Sequence, residues 1–213
     1  MFDYHLIQTE NNENYILTHK EFTLSFIKYL SKYQLSCEIS LTNTPFTIHH
    51  SFFPKDNSFQ DPRHPDLGFY SISKEPPHRD TTNFINQFNI HRSKLKIIDG
   101  FYDLTQEKSI ILEHGIDEPI AISYTKGCYL GQELISRTKH TGTIRKEIHY
   151  FTSERRIFKE DPIFQNNIEI GHALGSIKQY ESNTFHNLIL THKEKTNLQE
   201  PITIDSTEYK IES

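Results

Sequence analysis

The chain has 213 residues, with 23 Lys and Arg against 28 Asp and Glu, a formal net charge of −5. Its 35% hydrophobic and 12% aromatic content supplies the apolar area of a core, which excludes a disordered chain, and no stretch approaches the roughly 20 apolar residues of a membrane-spanning helix. The acidic balance argues against a general basic face for nucleic acid, and two cysteines, Cys37 and Cys128, exclude a disulfide scaffold and point to a reducing compartment.

Met1 to His5 has neither a basic n-region nor an Arg-rich amphipathic pattern, so it reads as mature sequence of a cytoplasmic protein. Phe2, Tyr4 and Leu6 alternate with polar residues as in a half-buried strand. Asn11 to Asn14 is a turn cluster, and Tyr15 to Leu17 resumes a second strand. Thr18 and Glu21 fit a capping box. Phe22, Phe26, Tyr29, Leu30 and Tyr33 then recur at helical spacing, a stripe expected to face the core. Cys37, Ile39 and Leu41 alternate again, which makes Cys37 a small core residue on a strand. Six of the nine prolines fall between Pro45 and Pro77 and mark a loop-rich segment. A second helix follows, with Phe84, Ile85, Phe88 and Leu95 on one face. Met1 to about Phe101 thus reads as β-β-α-β-β-α, an α+β layer with its helices on one face of a sheet. Short alternating strands take over after residue 142: Ile144 to Tyr150, Ile168 to Ile177, Leu188 to Leu190 and Ile202 to Ile204. Their even spacing suggests a small C-terminal β-barrel.

The segment richest in information is Thr125-Lys126-Gly127-Cys128-Tyr129-Leu130-Gly131-Gln132-Glu133, continuing through Arg137 to Gly142. Three of the eight glycines, Gly127, Gly131 and Gly142, crowd into it. Gly127 frees the backbone before Cys128, Gly131 permits close approach where a helix begins, and Gly142 supplies a left-handed exit. Cys128 then sits just before a helix N-terminus with Lys126 two residues away. Amide dipoles and the ammonium both favour thiolate over thiol, so Cys128 is the more reactive cysteine; a small buried Cys at a turn is the competing reading. A Cys–His hydrolase with His140 as base has no oxyanion-hole signature beside it. The thirteen His show no zinc-site spacing. A lone Cys cannot hold an iron–sulfur cluster, so a cluster at Cys128 takes its other ligands from a partner or a small thiol. Glu133 and Arg137 stand one helical turn apart and read equally as a brace or an ordinary surface bridge.

The string KGCYLGQELISRTKHTG resembles the signature of the YgfZ family, folate-binding relatives of the glycine-cleavage T-protein that include mitochondrial iron–sulfur assembly counterparts. The match lies at Lys126, Gly127, Cys128, Tyr129, Gly131, Gln132, Glu133, Arg137 and Gly142. Asp61-Pro62-Arg63 with Leu67-Gly68, Ile110 to Ser123, and Gly171 to Ser176 agree more weakly. The T-protein lacks a cysteine at this turn, which sets the chain with YgfZ. Such chains usually open with further residues carrying an F-L-Q-G-x-x-T-N-D-like motif, so this one resembles a member without its N-terminal part. The resemblance implies a T-protein/YgfZ-like α+β fold, with a shortened folate-binding domain over 1–142 and a C-terminal β-barrel over 143–213. It implies an accessory protein, non-catalytic or weakly catalytic, in iron–sulfur cluster assembly or repair, indirectly supporting tRNA modification. Cys128 would be its reactive thiol or shared cluster ligand and Lys126 the thiolate's partner. Tetrahydrofolate would be the cofactor, with Asp99, Gln132, Glu133 and Arg137 as its binding residues, although residue chemistry alone makes Gln132 and Tyr129 structural. Expected partners are iron–sulfur assembly or client proteins, with no direct nucleic acid and no membrane. Two alternatives stand beside this: a folate-dependent aminomethyl or one-carbon transferase, for which Cys128 is dispensable, and a degenerate family member.

Overall fold

A computed structural model describes residues 4–9, 12–33, 40–44, 46–76, 81–106, 108–117, 121–129, 131–142 and 144–212. The chain is mixed α and β, with three separate antiparallel sheets and three α-helices among the described residues. None of these helices is long and apolar enough to cross a membrane.

Strands β1 (Tyr4–Gln8) and β2 (Asn14–Thr18) form a two-stranded hairpin. The chain then enters a 3-10 turn, Lys20–Phe22, and helix α1, Thr23–Ser31. The cap differs from the expected Thr18–Glu21 box: Thr18 stays in β2, and the His19 ring accepts the Glu21 amide at 3.3 Å. The aromatic stripe is also less buried than its spacing suggests. Phe26 alone is buried in α1, its ring 5.0 Å from that of Tyr4 in β1, whereas Tyr33 is 59% exposed. The strand expected around Cys37 and Ile39 lies outside the described residues.

The proline-rich segment holds a second sheet, ordered β3 (Thr47–Ser51), β5 (Phe69–Ser73), β4 (Phe59–Gln60). The single helix-backed sheet expected for the first hundred residues is thus two small sheets. The connection between β4 and β5 is stapled by Asp61. Its two oxygens accept Arg63 Nε at 3.0 Å and Nη2 at 2.8 Å, and Tyr70 donates at 2.8 Å. Burial alone would raise the Asp61 carboxyl, but Arg63 outweighs it and holds the pKa below its ordinary value. At Gly68, φ is 89° and a Cβ would meet Ser51 O at 2.5 Å, so no other residue fits. The Asp-Pro-Arg and Leu-Gly pairs of the sequence are therefore parts of one packed turn.

Helix α2 (Thr81–Lys94) departs from the apolar-face reading. Ile90, Arg92 and Ser93 are its buried residues, while Phe84 and Ile85 are 37% and 51% exposed. Its contacts with the C-terminal sheet include polar ones, Asn86 donating to Lys178 O at 2.7 Å and accepting the Tyr180 amide at 3.0 Å, while Phe84 and Phe88 lie 5.5 and 4.7 Å from the His50 ring of β3.

The remaining strands build one six-stranded sheet in the order β11 (Thr207–Tyr209), β10 (Ile202–Ile204), β7 (Pro162–Gln165), β8 (Ile168–Lys178), β9 (Phe185–His192), β6 (Lys146–Ser153). The sheet curls until a bridge between Tyr150 of β6 and Glu212, just past β11, joins its two edges. Alternation along each strand produces two apolar layers. Phe151, Ile163, Ile170, Ile189, Ile202 and Ile204 fill the concave side. Tyr150, Leu174, Leu188 and Leu190 meet Ile98 and Leu104 on the outer side. Central strand β9 is consequently buried on both faces, at about 1.5–3 kcal/mol for each fully buried aliphatic side chain.

Candidate functional site

Cys128 is a free, exposed cysteine on the irregular segment that precedes helix α3, Gln132–Thr141. The competing reading of a sealed core cysteine does not describe it. Gly131 caps α3 with φ at 88°, and nothing lies within 4 Å of where its Cβ would be. Glycine is thus required there by backbone hand and not by the close approach expected from the sequence. Gly142 reverses the expectation the other way. Its backbone is extended (φ −105°), and a Cβ would meet Thr138 O at 2.8 Å, so close approach and not a left-handed exit demands it. Gly127 has open space around it.

Gln132 and Tyr129 close the turn between Cys128 and α3 reciprocally. The Gln132 amide donates to Tyr129 O at 3.1 Å, and Gln132 Oε1 accepts the Tyr129 amide at 3.2 Å. Lys126 places its ammonium 4.8 Å over the Tyr129 ring, a cation–π contact two residues from the sulfur. Glu133 and Arg137 are exposed on α3. The loop leading to Cys128 is pinned to the same helix through Asp117, which pairs with Lys139 and accepts the Tyr124 hydroxyl at 2.8 Å. The sequence reading missed Asp117, for a lone Asp in a loop carries no spacing that points to a helix 22 residues on. His140, considered as a base, is exposed, with its ring 6.1 Å from that of Tyr124.

Asp99 lies elsewhere, in the turn after α2. Its Oδ1 accepts the amides of Phe101 at 2.9 Å and Tyr102 at 3.1 Å, the bonding of a turn-forming Asp. Two clefts among the described residues, one beside Asn86 and Tyr180 and one between α2 and the Arg156–Lys159 segment, are not lined by Asp99, Gln132, Glu133 or Arg137. Among the described residues no group of three or more His, Cys, Asp or Glu side chains is placed to hold a metal ion.

Fold and site together define a mixed α and β chain that, among the described residues, offers one solvent-facing thiol ahead of a short helix. No protein-family model matches it. It is similar to proteins named iron-sulfur cluster assembly factor IBA57 homolog, mitochondrial. The protein of this name from Mycosarcoma maydis is 29% identical over 140 residues, 58% of this chain and 34% of that protein. The one from Pyricularia oryzae is 32% identical over 117 residues, 49% of this chain and 30% of the relative. The mouse factor, from Mus musculus, is 39% identical over 64 residues, 30% of this chain and 18% of the relative. The matched stretch thus spans about a third or less of these relatives' own length. The cytoplasmic expectation is overturned, because each of these relatives is named as a mitochondrial protein. It rested on the pattern of the first five residues and on the two cysteines, neither of which decides compartment.

Proposed function

We propose that the chain takes part in iron–sulfur cluster assembly as an accessory protein of the mitochondrion. The observation that carries this reading is the similarity over 140 residues, more than half of the chain, to a protein named for that process. Its partners are then iron–sulfur carriers and recipient proteins, with the cluster as cargo. In the finer reading, residues 1–142 form a T-protein/YgfZ-like unit and 143–213 a barrel that the curled sheet builds. Cys128 is offered by the exposed turn as one ligand to a cluster whose other ligands come from a partner. A single sulfur on an open surface suits a shared, short-lived ligand better than a resident site, since a cluster held by one chain wants four protein ligands.

Tetrahydrofolate enters this reading as a ligand to be measured, not as a participant. The residues named for it line neither cleft, and Asp99 and Gln132 already bind backbone amides. The transferase reading therefore gains no support from the geometry. Support for tRNA modification would follow indirectly, through recipient enzymes that contain clusters.

The test is rescue. Cells depleted of their own factor of this type are supplied with this chain, directed to mitochondria, and the activity of a cluster-dependent mitochondrial enzyme is read against that of an enzyme without a cluster. The reading expects recovery of the first alone. No recovery from a stably accumulated chain contradicts it.

A further inference from the structure

We propose that the cleft between helix α2 and the curled sheet is a binding site for a small organic oxyanion, a carboxylate or a phosphate ester with an apolar body. This inference uses none of the residues around Cys128 and goes beyond the assembly reading.

The cleft holds about 350 Å³, within the range of small-molecule sites. One wall is the last turn of α2 with the Tyr102–Asp103 turn; the other is the Arg156–Lys159 segment with β8 and Leu188 of β9. Three cations line it, Arg92, Arg156 and Lys159, against one carboxylate, Asp103. That local excess of positive charge stands in a chain whose net charge is −5.

The one carboxylate is already engaged. Asp103 Oδ2 accepts Arg92 Nη1 at 2.5 Å and the Asp99 amide at 2.7 Å. Arg92 is fully buried and also donates to Asn89 and to Ile97 O, yet its Nη2 has no hydrogen-bond partner. A buried guanidinium amino left unpaired is costly and uncommon, and calls for an acceptor. Lys159 directs two ammonium hydrogens to neutral carbonyls, Tyr102 O at 3.2 Å and Leu104 O at 2.8 Å, and forms no ion pair among the described residues. Two acids stand just outside the cleft: Glu160 is exposed and accepts from Thr105 at 2.8 Å, and Asp161 Oδ2 accepts the Phe158 amide at 2.7 Å. Arg156 lies 5.3 Å over the Phe158 ring at the rim.

The apolar part of the wall is built by a register shift in β8 between Ala173 and Gly175. Bulges re-aim side chains. This one lays Leu174 beside Leu188 on the outer face, while Gly175, at φ 134°, has nothing within 4 Å of its Cβ position and leaves the wall open. Exposed Arg156 and half-buried Lys159, with buried Arg92 in the wall and an aliphatic floor, match a molecule with an oxyanion at one end and an apolar body at the other.

The experiment is calorimetric titration of the intact chain with benzoate, glutarate and inorganic phosphate, at ionic strength matched by sodium chloride. At least one probe is expected to give a saturable isotherm that chloride does not reproduce, and the probe that succeeds tells carboxylate from phosphate. The exposed variant Arg156→Gln should weaken that isotherm severalfold, and Lys159→Gln about tenfold, as loss of one charge-assisted contact does. Cys128→Ala should bind like the unaltered chain, which separates this site from the thiol. Absence of a saturable isotherm with all three probes overturns the proposal, as does undiminished binding by Arg156→Gln and Lys159→Gln.

Discussion

At Gly131 the chain turns with a backbone hand that side chains disfavour, so the start of α3 and the position of Cys128 depend on one missing methyl group. Gly131→Ala forces a left-handed conformation at a cost of about 1–2 kcal/mol. It should lower the unfolding free energy by that amount, read as a lower urea midpoint at unchanged slope, and a midpoint equal to the parent's would show that the turn does not need its hand. The crowding of glycines made this turn legible in the sequence, but the reasons attached to Gly131 and Gly142 were exchanged. Composition marks where a backbone is unusual; φ and neighbouring carbonyls decide whether hand or space is the cause. Asp99 shows the same limit, since an Asp before Gly reads alike whether it waits for a ligand or closes a turn.

The element most legible in the sequence was β8, read over Ile168 to Ile177, whereas β9, buried on both faces and therefore without alternation, was read only over Leu188 to Leu190. Strands β7 and β11 went unread because β7 begins with a proline, and β11, unlike the equally short Ile202–Ile204, has no pair of alternating aliphatic residues. Helices were harder. The stripe of α1 has the right spacing yet buries Phe26 alone, and α2 bonds the C-terminal sheet through Asn86 while Phe84 lies against the His50 ring of β3. The β8–β9 pair rests on an approach as tight as any in the chain. A Cβ at Gly171 would stand 2.0 Å from Leu190 O, so Gly171→Ala must push two central strands apart. That variant should lose several kcal/mol, in the range of severe core lesions, and melt well below the parent. A melting temperature within experimental error of the parent's would contradict the described register.

Acid should loosen the whole molecule in two stages. His50, His114, His149, His172 and His186 all have their pKa values lowered, in each case chiefly by burial. Unfolded histidines titrate near pH 6.5, so below about that pH the unfolded chain binds protons that the folded chain refuses. Stability from these groups is complete above about pH 6.5 and falls as the pH drops toward their folded values. Asp61, held low by Arg63, adds a second loss only below about pH 3.9, the ordinary Asp value, as its folded carboxylate is finally protonated. Thermal melts from about pH 7.5 down to pH 5 should show a steady fall in midpoint, and a midpoint that stays level over this range contradicts the burial of these rings. A single cooperative transition at neutral pH would also set aside the degenerate-protein alternative.

On the proposed reading, the exposed sulfur of Cys128 faces a partner. Because the residue is exposed, Cys128→Ala should leave stability within about 0.5 kcal/mol of the parent, so its effect on activity is separable from folding. The most direct measurement is the ratio of cluster-dependent enzyme activity restored by Cys128→Ala and by the unaltered chain at equal protein level in depleted cells. Failure of the variant alone is the predicted result; equal restoration by both would contradict the role given to this thiol.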